Sequence, residues 1–264
     1  MYHGATIGVA IPALNEAQSI GVVVARLRRT PVDRIVVCNN ASTDDTAAVA
    51  IAAGAVVVDE PRKGYGAACQ RAIAALTDCD CIVFMDGDNA MNPDELTALL
   101  DAWRGGADLV IGSRALGVAE RGSMTALQRA GNWFAGQVLT RAFHTRVTDL
   151  GPFRAIAPAT LAALGVREPT FGWTVEMQAN ALEAGLRVVE VPVSNALRIG
   201  ESKVSGTWRG RIGASIGILG VLARTVLRIR RRRSARRNQR RYRGSAPGWG
   251  RERTTAADAI DTRT

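Results

Sequence analysis

Two aspartates one residue apart, Asp86 and Asp88, end an unbroken apolar run in the stretch CIVFMDGDNAMNPDEL, residues 81–96. A buried strand that delivers two carboxylates to one spot sets them repelling each other unless a cation lies between them. Oxygen ligands this close suit Mg2+ or Mn2+, which in turn bridges phosphate oxygens. The plainer alternative is an acidic turn before a helix, because Asn92 stands as an N-cap ahead of Pro93. Three more stretches end apolar runs in polar groups. IPALNEAQSI carries Pro12, Leu14, Asn15 and Glu16 into a helix start, where acceptors and a helix N-terminus meet at a sheet edge. VVCNNASTDDTA offers Asn39 and Asn40, whose amides suit a base edge, ahead of Ser42 or Thr43 as the next helix cap. RKGYGAACQRA sets Arg62 and Lys63 before Gly64 and Gly66, a glycine pair that lets backbone approach a diphosphate. Cys69 stands where a dinucleotide fingerprint has its third glycine, and the motif follows the third strand rather than the first, which argues against a Rossmann dehydrogenase.

The elements that must hold these groups follow from hydrophobic periodicity. Strand-like runs fall at residues 6–11, 34–38, 55–58, 81–85 and 108–111, and helical patterns at 16–29, 44–53, 65–76 and 93–103. Alternation of this kind predicts an α/β fold with a mostly parallel sheet covered on both faces, and ligands beyond the carboxyl ends of its strands. The second half is less regular. Residues 123–144 are amphipathic, with Met124, Leu127, Gly131, Phe134, Val138 and Ala142 on one stripe. A loop, TDLGPFRAI, precedes a helix at 174–184 and a strand at 187–191; the polar stretch RIGESKVSG and an apolar, glycine-rich helical segment at 208–227 follow.

The net charge of +10 is concentrated at one end. From Arg228 onward there are 13 arginines against 3 acids, leaving 21 basic and 21 acidic residues in the body. Nucleic-acid binding is the weaker reading of that run, since no aromatic interleaving or recognition fold accompanies it, and its low apolar content predicts disorder. Four cysteines without a C-x-x-C pair, and only two histidines, argue against a zinc site and for buried thiols in a reducing cytoplasm. The first residues lack the basic flank of a signal peptide, so the expectation is a cytoplasmic protein. The 12-residue uncharged window at 212–223 is shorter than the ~20 residues a bilayer crossing takes.

Taken in order, PALNE, NNASTDDT, RKGYG, DGD with NPDEL, GSR at 112–114, TDLGPFRA at 148–155, GWTVEMQANALEAGLRVVEVPV at 172–193 and RIGESKVSG at 198–206 resemble the family 2 glycosyltransferases of GT-A fold. The later motifs look like the polyprenyl-phosphate sugar synthases among them, of which dolichyl-phosphate mannose synthase is one. The resemblance spans residues 5–207. It implies an inverting, metal-dependent hexosyltransferase that takes a nucleotide sugar of GDP-mannose or UDP-glucose type and, as acceptor, a polyprenyl phosphate. It assigns Asp86 and Asp88 to Mg2+ or Mn2+, and Pro12, Leu14, Asn15, Glu16, Asn39, Asn40, Lys63, Gly64, Asp86 and Gly87 to the donor. Arg114, Arg198 and Lys203 fall to the phosphates, and Asp149, Arg154 and Ser202 to the acceptor. Glu176 is either the base for a hydroxyl acceptor or, for an anionic acceptor, an orienting group. The implied division is a glycosyltransferase domain at 1–207, a membrane-interface helix at 208–227 and a basic tail at 228–264. Residues 123–144 are then a second interfacial helix, and the tail favours an anionic membrane surface on the cytoplasmic side.

Two departures stand out. Family members usually carry Asp where Asn39 stands, an acid that accepts a base N–H, and dolichyl-phosphate mannose synthases tend to carry a third polar ligand where this chain has Ala90. The rival readings are the same fold acting on a hydroxyl acceptor, a sugar-1-phosphate nucleotidyltransferase and a non-catalytic nucleotide-binding protein. The nucleotidyltransferase predicts a glycine-rich loop near the N-terminus, which PALNEAQSI lacks. Sugar, base and oligomeric state are not legible in the sequence.

Overall fold

The computed structural model describes residues 1–200 and 219–228. The chain divides into two units, Met1–Thr225 and Val226–Thr264; within the second, residues 226–228 are described and are helical. Ser202, Lys203, most of the 208–227 segment and nearly all of the basic tail lie outside the described residues.

Seven strands form one sheet: β1 (Ile7–Ala13), β2 (Arg34–Asn39), β3 (Val56–Asp59), β4 (Cys81–Phe84), β5 (Leu109–Ser113), β6 (Arg154–Ile156) and β7 (Val188–Pro192). Their spatial order is β3-β2-β1-β4-β6-β5-β7. All neighbours are parallel except β6, which runs antiparallel to both β4 and β5. The central strands β1, β4 and β5 are buried almost throughout, as continuous apolar runs require when both faces are covered. The edge strands β3 and β7 are only partly buried.

Helices α1 (Ile20–Leu27), α2 (Thr46–Ala52) and α4 (Leu96–Arg104) cover one face, where Ile20, Val24, Leu96 and Leu99 meet Ile7, Val9 and Ile11. Helices α3 (Tyr65–Ile73), α6 (Pro158–Leu164) and α7 (Trp173–Ala184) cover the other, packing Ala68, Leu161, Trp173 and Met177 on Ala10, Ile82 and Phe84. Alternation along β1 sends large residues to one face and Gly8 and Ala10 to the other. A Cβ on Gly8 would lie 2.8 Å from Leu76 and from Cys79.

The strands expected from the sequence agree in position to within two residues, but β6 lies in the stretch TDLGPFRAI read as a loop, and the first helix starts four residues late. The first helix begins at Ile20 rather than residue 16, so Asn15 and Glu16 sit in the turn before it. The second begins at Thr46 with Ser42 and Thr43 outside it; Asp45 at the cap position makes no side-chain bond, and Asp44 Oδ1 accepts from the Thr46 amide at 3.1 Å instead. Asn92 does cap, accepting from the Asp94 amide above a single 3-10 turn, Pro93–Glu95.

Helix α5 (Ala126–Phe143) opens with a reciprocal Thr125–Gln128 capping box and closes with His144 in the left-handed conformation. Its buried residues are Ala135, Gly136 and Leu139; the stripe expected to unify its apolar side is largely outside the core. Leu127, Trp133 and Phe134 are 65%, 64% and 51% exposed. Residues 219–228 are helical, and Val221 and Leu222 are buried in a third cluster with Ala135, Leu139, Val147, Leu150, Val175 and Ala179. That part of the expected interface helix is therefore held by the protein itself. No described helix is long and apolar enough to cross a membrane.

Candidate active site

The carboxyl ends of β1, β2, β4 and β5 share one edge of the sheet, and the polar residues read from the sequence converge there. Asn15 turns the chain out of β1 with φ +55°, a left-handed conformation that Asn tolerates. Its side chain accepts from the Thr43 amide at 2.7 Å, and its own amide donates to Ser42 Oγ at 3.0 Å. The Glu16 and Ala17 amides donate to Thr46 Oγ1 and Asp44 Oδ2. The residues expected to cap α2 thus stitch the first two loops together instead. Pro12 and Leu14 belong to this β1 segment, and Pro12 pairs in register with Cys38.

Asn40 is buried, and its amide is committed to backbone. It donates to the carbonyls of Glu60 and Arg62 at 3.0 and 2.8 Å and accepts from the Gly64 amide at 2.8 Å. Expected to meet the donor, it shapes the loop carrying Arg62 and Lys63. Gly64 and Gly66 need a different explanation as well. A Cβ on Gly66 would sit 2.0 Å from the Glu168 carbonyl oxygen, and one on Gly64 2.4 Å from that of Pro169. The Ala67 amide donates to the same Pro169 carbonyl at 2.9 Å. These glycines let the 168–169 backbone lie against the start of α3, a role that asks nothing of a diphosphate.

At the end of β4, Asp86 and Asp88 lie inside the molecule rather than on its rim. Burial and then the charge of Asp88 push Asp86 up to about 7. Its Oδ1 is buried and makes no hydrogen bond of good geometry among the described residues, although the Tyr65 hydroxyl lies beside it and favours the charged carboxylate. Asp88 is better supplied: Oδ1 accepts from the Ala90 amide at 3.0 Å, and Oδ2 faces Arg198 Nη1 at 3.1 Å. Two like charges and an orphaned buried oxygen are the environment a divalent cation relieves, so the pair fits Mg2+ or Mn2+. No third His, Cys, Asp or Glu completes a cluster among the described residues. Waters and ligand oxygens would fill the other positions. Gly87 between them is tightly fitted, since a Cβ there would meet Ile20 Cδ1 at 3.2 Å.

Arg198 reaches this pair because residues 194–199 run along the segment after the two aspartates. The Ala196 and Ile199 amides donate to the Ala90 and Asp88 carbonyls at 2.8 and 2.9 Å. Asn195 bridges Met91, and the Ser194 amide donates to the Glu95 carboxylate. From the opposite side, Arg26 of α1 donates to Asn92 Oδ1 at 2.5 Å and to Asn89 Oδ1 at 3.4 Å.

Arg114, at the end of β5, is locked by Asp149. Its backbone amide and Nε donate to Oδ2 at 2.7 and 2.8 Å, and Nη2 donates to Oδ1 at 2.7 Å. Burial favours the neutral form of each partner, but their hydrogen bonds and opposite charges outweigh it, raising Arg114 and holding Asp149 below the ordinary carboxylate value. Asp149, expected on the acceptor side, is therefore a positioning group for Arg114. Behind it stands Glu190 of β7, whose carboxylate accepts from the Thr148 amide at 2.9 Å, from Thr148 Oγ1 at 2.5 Å and from the Asp149 amide at 3.3 Å. The sequence reading passed over Glu190, although a lone acid among the valines of VVEVP was a visible signal.

Two further assignments change. Arg154 is fully buried in β6, in register with Phe84 and Ile111, and donates to the Gly151 and Thr174 carbonyls and to Gln178 Oε1. Burial lowers it to about 10. It braces the fold and cannot reach an acceptor. Glu176 accepts through Oε2 from the Arg167 and Glu168 amides at 2.9 and 2.7 Å, which pins the loop packed on Gly64 and Gly66.

A twisted α/β sheet with an acidic pair after β4 and two arginines facing it defines a nucleotide-sugar-dependent transferase of GT-A fold. The model for glycosyl transferase family 2 matches residues 8–157, and the chain belongs to that family. It is 36% identical over 222 residues to an uncharacterized glycosyltransferase of Mycobacterium bovis, covering 83% of this chain and 99% of the relative. It is 31% identical over 232 residues to undecaprenyl-phosphate mannosyltransferase of Micrococcus luteus, covering 81% and 93%. Among solved structures, glucosyl-3-phosphoglycerate synthase of Mycobacterium tuberculosis, in complex with Mn2+, UDP and glucosyl-3-phosphoglycerate, superposes with a TM-score of 0.67 at 25% identity. That superposition covers 85% of this chain and 81% of the other.

Proposed function

We propose that this glycosyltransferase moves a hexose from a nucleoside diphosphate sugar to a polyprenyl phosphate, inverting the anomeric centre, at the cytoplasmic face of a membrane. The observation that carries the reading is the charge arrangement at the sheet edge. Asp88 Oδ2 faces Arg198 Nη1 across 3.1 Å beside the half-buried Asp86, and Arg114 is close enough for both acids to act on its charge. Two anions and two guanidinium groups match a divalent cation, a departing diphosphate and an anionic acceptor. Asp86 and Asp88 would hold a divalent cation, which when bound would supply Lewis-acid neutralisation of a leaving diphosphate. Arg114, held in one orientation by Asp149, offers a preset fork for phosphate oxygens, and Arg198 supplies a second positive charge.

An acceptor phosphate is supported by what Glu176 does. Its carboxylate is engaged with two backbone amides, as suits a reaction in which the nucleophile is already an anion and needs no base. A lipid acceptor is supported by α5, which leaves Leu127, Trp133 and Phe134 exposed on a helix with Arg129 and Arg141. The likeness to undecaprenyl-phosphate mannosyltransferase points the same way.

The test is transfer from radiolabelled GDP-mannose and UDP-glucose, with Mg2+ or Mn2+, to undecaprenyl phosphate in vesicles and to soluble hydroxyl acceptors. The expected product is an acid-labile lipid-phosphate sugar, lost with Asp88→Ala and retained with Glu176→Gln. Transfer to hydroxyl acceptors alone, abolished by Glu176→Gln, would overturn the acceptor assignment. Full activity of Asp88→Ala in excess chelator would overturn the metal.

A further inference from the structure

The departure at position 39 has a partner. Asn39 and Asp59 are in register at the carboxyl ends of β2 and β3, and Asn39 Nδ2 donates to Asp59 Oδ1 at 2.8 Å. The other end of the amide, Oδ1, accepts from the Ser42 backbone amide at 3.3 Å. These two bonds fix the orientation, because a flipped amide would set oxygen against oxygen on one side and N–H against N–H on the other. An aspartate at position 39 would place two carboxylates within hydrogen-bond distance. The amide at 39 and the acid at 59 therefore suit each other, and the negative charge of the pair lies on β3. Asp59 is exposed, and its Oδ2 has no donor among the described residues.

We infer that Asp59, oriented by Asn39, is the group that reads the base of the donor nucleotide; this rests on the nucleotide-sugar reading above. The charged acceptor of the pair is Asp59 Oδ2, with Asn39 Oδ1 and the second Nδ2–H of Asn39 beside it. Uracil N3–H and guanine N1–H are ring donors on the pairing edge and satisfy such a rim. Cytosine N3 and adenine N1 bring a lone pair to the same place and are repelled, the kind of mismatch that hydrogen-bonding sites reject strongly. Position also agrees. In the sheet order, β2 and β3 stand two and three strands from β4, about 10 and 14 Å at ordinary strand spacing. That separation lets a nucleoside lie along the edge with its diphosphate toward Asp86 and Asp88.

Calorimetric titration of the full chain with UDP, GDP, CDP and ADP in the presence of Mg2+ tests this. Wild type binds UDP or GDP at least tenfold more tightly than CDP and ADP. Asp59→Asn, at an exposed position that leaves the fold intact by thermal melting, weakens the preferred nucleotide about tenfold, the contribution of one charge-assisted hydrogen bond. It leaves CDP and ADP where they were. The double variant Asn39→Asp/Asp59→Asn returns the acid to position 39 and recovers the preference. Unchanged selectivity in Asp59→Asn, or equal binding of all four nucleotides by wild type, overturns the inference alone. No binding of any of the four removes the nucleotide-sugar reading with it.

Discussion

Asp149→Asn isolates the clamp on Arg114. The carboxylate is 1% exposed and the guanidinium 20%, joined by two side-chain hydrogen bonds and a third from the Arg114 backbone. Removing one partner of a buried pair costs about 3–5 kcal/mol. An asparagine keeps one acceptor, so the lower end, about 3 kcal/mol, is expected. For a domain of this size that is a fall in Tm of about 6–12 °C. The pH dependence supplies a signature that packing loss cannot imitate. Asp149 is depressed in the folded state, so its contribution is complete above the unfolded carboxylate pKa near ~4 and disappears as pH falls through the lower folded value. The gap between wild type and Asp149→Asn in urea denaturation should therefore be constant from pH 8 to about 5 and narrow progressively below ~4, closing only beneath the lowered folded value. A second readout follows from Arg114 losing its orientation: weaker phosphate binding alongside the lost stability. A variant within 0.5 kcal/mol of wild type at pH 7, or a gap that does not narrow at all between pH 5 and pH 3, would refute the reasoning.

Gly66→Ala should destabilise by at least 1–3 kcal/mol in the same denaturation assay, because its Cβ would meet a backbone oxygen at 2.0 Å, whereas Gly131→Ala on exposed α5, with nothing within 4 Å, should stabilise by about 0.5–1 kcal/mol. The four cysteines are buried, and burial pushes Cys38 and Cys81 up to about 12. Thiol titration with an aromatic disulfide at pH 8 should be silent in the native protein and complete in denaturant; fast native labelling of these two would contradict their placement. Trp133→Ser with Phe134→Ser should leave stability within about 0.5 kcal/mol, as both are exposed, yet lower co-sedimentation with vesicles several-fold at high salt. Undiminished binding would remove α5 from the membrane reading.

The amino-acid pattern reveals the first half of the fold because parallel strands buried on both faces must be apolar without interruption. Strand β6 escapes that logic. It is three residues long, begins with an arginine, and lies at the centre of the sheet. A charged residue there reads as a ligand group until the carbonyls of Gly151 and Thr174 are seen to take its hydrogens. The acidic pair was legible because two carboxylates delivered to one spot by an apolar run repel each other unless something lies between them. Asn40 and the two glycines were ambiguous in kind: amides and glycines serve backbone as readily as they serve a nucleotide, and which they serve depends on the Glu60–Arg62 and Glu168–Pro169 segments brought to them by the fold. Glycine spacing carries no mark of what approaches it.

The two site arginines are held in physically different ways, and the difference bears on how the site can work. Arg114 is tied to Asp149, an acid that takes no part in the Asp86–Asp88 pair, so its orientation survives whatever happens there. Arg198 is paired with Asp88 itself, through Oδ2, and its side chain is 30% exposed. A cation that takes this oxygen must share it with the guanidinium or displace it. Displacement moves only the side chain, because the Ala196 and Ile199 amides remain bonded to the Ala90 and Asp88 carbonyls and keep the segment in register. The released charge then stays within one side-chain length of the diphosphate that accompanies the cation. A fixed fork and a transferable one thus stand at the same sheet edge. On the proposed function, the transferable charge would satisfy Asp88 before the donor arrives and become available when it does.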